Sequence, residues 1–305
     1  MKMLCRACPR QCNKIRREKE NEGGYCGMPL FPVVAKATLH FWEEPCISGN
    51  RGSGTVFFSG CSLNCVYCQN YEISHNKKGE LITPKRLSEI FRELEEKGAH
   101  NINLVNPTHY LWAIKEALSL YHPKIPIVYN SGGYDLPEAI NENIFDIYLM
   151  DLKYLSEEKS FKYSNAKDYP LYATESIRAA YKLCEKPVFD DEGIMQKGLI
   201  IRHLCLPLNI KEALKVVDWV KENTPNAYLS IMSQYFPTAK AYEYKEINRK
   251  ITQREYEKVL SYVMEKNLEN VFIQERNSAD KGYVPVFDLQ GVKNKQYILK
   301  INKNA

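Results

Sequence analysis

From about residue 53 onward, short apolar runs alternate with stripes of helical period, and this rhythm constrains the fold more than anything else in the chain. The candidate strands are residues 55–59, 101–105, 125–129, 145–150, 199–204, 227–232 and 271–274. Between them, Leu87, Ile90, Phe91 and Leu94 recur at i, i+3, i+4 and i+7 behind a Thr83-Pro84 start. Ala213, Val216, Val217 and Val220 repeat the stripe, as do Tyr256, Val259, Leu260 and Val263 behind a Thr252/Glu255 capping box. Strands and helices in that order predict βα units around a parallel sheet, with the stripes as core. At 305 residues the chain is long enough to hold it as one large domain.

Parallel βα units build their sites at the carboxyl ends of the strands. Here those ends carry Cys61, Asn106-Pro-Thr-His109, Asn130-Ser-Gly-Gly133, Asp151-Leu-Lys153, Arg202-His203 and Ser233-Gln234. Any one of them is well explained as a turn or cap; six in succession are not. The first is the most specific. Cys61, Cys65 and Cys68 form CxxxCxxC, with Tyr67 just before the last cysteine. Three thiolates this close hold three irons of a four-iron cube and leave the fourth open to a chelating ligand. A zinc knuckle or ferredoxin loop needs a fourth ligand nearby, and the next candidates downstream are His75 and Cys184.

A second set, Cys5, Cys8, Cys12 and Cys26, reads CxxCxxxC with a fourth cysteine after thirteen residues. Four thiolates suit zinc, rubredoxin-like iron or an auxiliary cubane, and sequence does not choose among them. Residues 13–22 are too charged to make a core, so metal is expected to supply the folding energy there. The remaining Cys46, Cys184 and Cys205 are expected to be buried small apolar side chains. Ten cysteines in a chain of this size without a secretory signal point to metal and a reducing, low-oxygen setting. Lys and Arg exceed Asp and Glu by 42 − 37 = 5 with the signs interspersed, so no nucleic-acid partner is expected. No apolar run reaches the length of a membrane span, and a cytoplasmic location is expected. Residues 154–169 read as a surface helix and loop. Residues 237–250, rich in Lys, Tyr and Arg, read either as a functional loop or as a solvated one.

Residues 52–70 resemble the radical S-adenosylmethionine (SAM) superfamily, and more closely the activating-enzyme branch that installs a glycyl radical in pyruvate formate-lyase and its relatives. Within that branch the chain is similar to uncharacterised homologues with an extra cysteine-rich N-terminus. Cys5-Arg-Ala-Cys-Pro-Arg-Gln-Cys12, Gly24-Tyr-Cys-Gly27, Leu39-His-Phe-Trp-Glu-Glu-Pro45, Asn106-Pro-Thr-His109 and Met232-Ser-Gln-Tyr-Phe-Pro237 carry this likeness. The resemblance implies a partial (β/α)6 TIM-like barrel over residues 51–305 and a small metal-binding segment over residues 1–50. It implies that Cys61, Cys65 and Cys68 ligate a [4Fe–4S] cluster and that Tyr67 lies against the SAM adenine. Asn130 and Ser131 then help hold the SAM carboxylate, Asp151 and Lys153 match an Asp-x-Lys motif, and Arg202 matches a SAM-facing strand residue. Asn106 to Thr108 stand where the family has a Gly-Gly-Glu run on the methionine amino group, which is a departure from the pattern.

The residue types suit that ligand without the family. A sulfonium amino acid needs an anion or amide for its ammonium, and donors for its carboxylate and ribose; Asp151, Asn106, Lys153 and Arg202 supply them. Asp151 and Lys153, two apart on one strand, are equally placed to pair with each other. The expected activity is reductive cleavage of SAM to a 5′-deoxyadenosyl radical that abstracts hydrogen, with a flavodoxin- or ferredoxin-type electron donor and a glycyl-radical enzyme as partners. The alternatives are a radical SAM enzyme acting on a small metabolite or modified nucleotide, and a metal-binding interaction module.

Overall fold

The computed structural model describes residues 1–20, 23–274 and 285–293. The chain opens on an antiparallel hairpin, β1 (Lys2–Leu4) with β2 (Ile15–Arg17). Then come β3 (Val33–His40), α1 (Pro45–Ser48), β4 (Ser53–Phe58), α2 (Tyr71–Ser74), β5 (Glu80–Leu81) and α3 (Pro84–Glu96). Strand and helix alternate after that: β6 (Ile102–Val105), α4 (Leu111–Leu120), β7 (Ile127–Ser131), α5 (Pro137–Ile140), β8 (Ile147–Asp151), α6 (Glu157–Ser164) and α7 (Tyr169–Leu183). The short β9 (Val188–Phe189) precedes β10 (Met195–Leu204), α8 (Ile210–Asn223), β11 (Tyr228–Met232), α9 (Gln253–Glu265) and β12 (Val271–Ile273).

The main sheet runs β12-β11-β10-β8-β7-β6-β4-β3-β5. Every pair from β4 to β12 is parallel. This is an α/β fold with a mostly parallel central sheet, consistent with a partial barrel. Among the described residues there are seven parallel strands where a (β/α)6 unit has six, because the 271–274 run pairs with β11 as Leu229↔Val271, Ser230↔Phe272 and Ile231↔Ile273. Strand β3 adds antiparallel to β4, and β5 to β3. Sequence reasoning missed β3, whose run is broken by Lys36. The Lys36 ammonium leaves the sheet to meet Asp288 at 2.9 Å and the Val286 carbonyl at 2.9 Å. Although β3 and α1 precede residue 50, they belong to this sheet and its interior.

The predicted stripes are the outer core. Leu87, Ile90, Phe91 and Leu94 of α3 are buried, as are Ala213, Val216, Val217 and Val220 of α8; Tyr256, Val259 and Val263 of α9 are buried, with Leu260 at the margin. Thr83 caps α3 through the Arg86 amide, and Thr252 with Glu255 closes the capping box of α9. The inner face is layered. Val128, Ile147, Leu149, Met195 and Ile200 make an apolar floor that Cys46 and Ile47 of α1 plug. One period-two step further along the same strands stand Asn130, Asp151 and Arg202. Apolar burial thus supports a polar rim at the carboxyl ends. Cys46, Cys184 and Cys205 are buried and unpaired, as expected. No helix among the described residues is long and apolar enough to cross a membrane.

At the β7–α5 turn, Gly133 takes φ +80°, and a Cβ there would sit 2.1 Å from the Asp151 carbonyl oxygen of β8. Gly133→Ala is expected to destabilise the fold by more than ~1 kcal/mol, read as a lower urea midpoint, because both the left-handed conformation and the close approach are lost.

Candidate functional site

The three cysteines of the CxxxCxxC motif lie in the loop between β4 and α2. Gly60 (φ +84°) and Asn64 (φ +57°) give it a path that L side chains rarely take. Each sulfur has a polar neighbour, and Cys68 also has the Asn70 backbone. The Leu63 amide donates to Cys61 Sγ at 3.4 Å, Ser74 Oγ donates to Cys68 Sγ at 3.2 Å, and Ser164 Oγ lies 3.0 Å from Cys65 Sγ. Burial pushes the Cys65 thiol up to about 12, with Cys61 and Cys68 adding to the rise and Lys153 opposing it. Burial likewise pushes Cys68 up to about 11, against the Ser74 hydrogen bond. Buried thiols such as Cys65 and Cys68 become thiolates when positive charge is brought to them, which is what a metal centre does.

Beyond the cysteines, the strand ends are bound into one charged network. Arg202 Nε donates to Asp151 Oδ1 at 2.8 Å, Nη2 to Asn130 Oδ1 at 2.7 Å and Nη1 to Glu43 Oε2 at 3.2 Å. Lys153 Nζ pairs with the other Asp151 oxygen. Glu43 Oε1 accepts from Asn103 at 3.0 Å and from Asn130 at 3.1 Å. Burial works against the Asp151 carboxylate, yet Arg202 and Lys153 outweigh it and hold the group below the usual carboxylate range. Asp151 in turn raises Lys153 and Arg202 against their own burial. Glu43 and its neighbour Glu44 are raised, because burial exceeds the pull of Arg202. Glu44 Oε2 and Asn103 Oδ1 are buried without a partner.

All ten residues expected at the barrel site line one cavity of about 240 Å³: Cys61, Cys65, Tyr67, Cys68, Asn106, Asn130, Ser131, Asp151, Lys153 and Arg202. Met232 and Gln234 of the later motif line it too. Asn106 adopts φ +61° and turns its amide onto the Gly60 carbonyl, one residue before Cys61. The Ser131 hydroxyl is turned to the buried Asp135, which also receives Thr108 and Tyr129. Asp151 and Lys153 do pair with each other, and Arg202 joins them.

Sequence reasoning missed Glu43, Glu44, Asp135, Ser74 and Ser164. Only the two glutamates carried a signal, as the acidic pair in the 39–45 motif. The surface expectation for residues 154–169 is corrected: Tyr154, Tyr163 and Tyr169 are buried. Tyr67 and Tyr154 share a hydroxyl contact, Tyr154 lies 3.1 Å from Ser164 Oγ, and the Val66 amide donates to the Tyr163 carbonyl. The segment is therefore a wall of the cysteine loop, with its Lys and Glu side chains facing outward. Residues 237–250 also meet that loop, through the Lys240 amide and the Val66 carbonyl.

Cys5, Cys8 and Cys26 are buried and Cys12 is half-buried in the N-terminal segment. Among the described residues, no three Cys, His, Asp or Glu side chains stand at the spacing of one metal ion, in this set or in the barrel loop. A zinc tetrahedron with Zn–S of ~2.3 Å needs its sulfurs ~3.8 Å apart, whereas a cube with one thiolate per iron spreads them further. Residues 13–20, for which metal is expected to supply the folding energy, have protein contacts of their own: Arg16 is buried and donates to the Met28, Pro29 and His109 carbonyls.

Residues 55–220 match the radical SAM superfamily. The chain is 31% identical over 280 residues to the uncharacterized protein MJ0674 of Methanocaldococcus jannaschii, an alignment spanning 88% of this chain and 76% of that protein. The chain belongs to the radical SAM superfamily. Membership implies an enzyme that uses SAM, a [4Fe–4S] cluster and an external source of electrons. Crystal structures of Streptococcus suis SuiB, bound to S-adenosylmethionine and to the precursor peptide SuiA, are similar with TM-scores of 0.47 and 0.46 at 16% and 17% identity. Each likeness covers 70% of this chain, which spans about half of SuiB, 48% and 46%.

Two expectations follow from the site. Arg202→Met leaves Glu43 and Asp151 buried without their guanidinium, and is expected to cost ~3–5 kcal/mol in chemical denaturation, with Arg202→Lys in between. Behind the rim, His203 Nδ1 donates to the Leu152 carbonyl at 2.8 Å and His109 Nε2 to the Ser59 carbonyl at 2.9 Å. Burial lowers these imidazoles to about 4 and about 3. Their contribution is complete above the unfolded value of 6.5 and is lost as pH falls toward 4, by up to ~1.4 kcal/mol per pH unit for each. Urea midpoints between pH 7.5 and 4.5 are expected to fall less steeply in His203→Gln than in the wild type, by one histidine's worth.

Proposed function

We propose that this chain cleaves SAM reductively and abstracts hydrogen from a glycine Cα of a glycyl-radical enzyme partner. The observation that carries the reading is the meeting of three cysteines and the polar strand ends of β6, β7, β8 and β10 around one cavity. In it Cys61, Cys65 and Cys68 would hold the cluster by three irons, with the Leu63 amide and the Ser74 and Ser164 hydroxyls at the sulfurs. When bound, the cluster supplies the electron that splits SAM to a 5′-deoxyadenosyl radical. In this reading Asp151 and Asn106 would serve the ammonium, Asn130 and Ser131 the carboxylate with Lys153 and Arg202 as further donors, and Tyr67 the adenine. Because Arg202 grips Asn130, Asp151 and Glu43 at once, these groups are oriented before ligand arrives.

Met232 and Gln234, from the 232–237 motif that carries the likeness to the activating-enzyme branch, line the same cavity and support that half of the reading. Anaerobically reconstituted protein with dithionite and SAM is expected to form 5′-deoxyadenosine, and Cys65→Ala to form none. An intact cluster without that product overturns the reading. Product formation without a glycine-centred radical, by electron paramagnetic resonance on a glycyl-radical enzyme of the same genome, overturns the activase half and favours a small metabolite.

A further inference from the structure

We propose that Cys5, Cys8, Cys12 and Cys26 hold a second metal centre, a four-thiolate site for zinc or iron, and that filling it sets the backbone around Cys61. The hairpin loop is closed by the Cys5 amide on the Lys14 carbonyl (2.9 Å), the Asn13 amide on the Cys5 carbonyl (3.0 Å) and the Gln11 amide on the Cys8 carbonyl (3.0 Å). Cys8 lies within electrostatic reach of Cys5, Cys12 and Cys26, so the four sulfurs share one place in the fold. Three already have backbone donors: the Arg10 amide at Cys8, the Tyr25 amide at Cys12 (3.2 Å) and the Met28 amide at Cys26. Two of these bonds run from residue i+2 back to the sulfur. Backbone amides aimed at sulfur are the hydrogen-bond partners that metal-bound cysteines take. The barrel-loop cysteines likewise have polar donors at sulfur, the Leu63 amide at Cys61 and the Ser74 hydroxyl at Cys68.

The residues that carry those donors also hold the barrel loop. Arg10 Nε donates to the Ser62 carbonyl at 2.9 Å, and its guanidinium lies 4.0 Å over the Tyr25 ring. The Tyr25 hydroxyl donates to the Leu63 carbonyl at 3.3 Å. A Cβ on Gly60 would come within 2.2 Å of Met28 and 3.3 Å of the Cys26 carbonyl. Gly60, Ser62 and Leu63 flank Cys61, so metal at the N-terminal set fixes three of its contacts.

The test uses the full chain, made anaerobically and offered zinc alone or iron with sulfide. The Cys61/Cys65/Cys68→Ala variant is expected to retain metal, and Cys8→Ser with Cys26→Ser in the same background to lose it; metal analysis names zinc or iron as the occupant. A triple variant that binds neither overturns the site. Arg10→Ala and Tyr25→Phe leave all thiols in place. In the metal-loaded protein each is expected to raise amide exchange of residues 60–70 by roughly tenfold without changing the metal count. Unchanged exchange overturns the coupling, and that readout is independent of SAM cleavage.

Discussion

A single guanidinium ties the functional end of this fold together. Arg202 on β10 contacts Asp151 at the end of β8, Asn130 at the end of β7 and Glu43 in the loop before α1, which come from three separate stretches of chain. Burying such charges costs several kcal/mol per ion, and a well-packed apolar set is often as stable. What the network gives instead is geometry. Arg202 braces the ends of β8 and β7 to β10 by charge-assisted hydrogen bonds, above the apolar floor of Val128, Ile147, Leu149 and Ile200.

Much of this was legible in the sequence because the signal is local. The parallel strands, the caps of α3 and α9 and the CxxxCxxC loop are each contiguous runs, and strand ends point to one rim whatever the details of packing. What was not legible depends on contacts between distant segments. Glu43 and Glu44 lie before the first parallel strand in a run without periodicity, and only the folded chain brings them under β6 and β10. Ser74 and Ser164 are ordinary serines until their hydroxyls arrive at Cys68 and Cys65. Residues 154–169 looked like surface because lysines and glutamates dominate the composition, yet three tyrosines decide where the segment sits. Strand β3 was hidden by a lysine whose charge is neutralised some 250 positions later by Asp288.

Those tyrosines give the cysteine loop its surroundings. Tyr67 packs edge-on to Tyr163 and Tyr235, and Tyr154 to Tyr169, whose hydroxyl meets the Gly132 and Asp151 carbonyls. Burial pushes the phenols of Tyr67, Tyr154 and Tyr169 well above their ordinary value, so all stay neutral. A wall of neutral rings beside three thiols lowers the local dielectric while adding no competing charge. Lys153 opposes the rise that burial imposes on Cys65 and Cys68.

Strand β3 has a further consequence. A sheet that stops short of closure leaves a row of free amides and carbonyls along its last strand, which invites pairing with any extended peptide. Here β5 takes the first part of that row, and residues 285–293 take more of it, with the Leu289 amide on the Ala35 carbonyl and the Ala37 amide on the Gln290 carbonyl. The chain's own distant segments thus occupy the margin where a foreign strand would add.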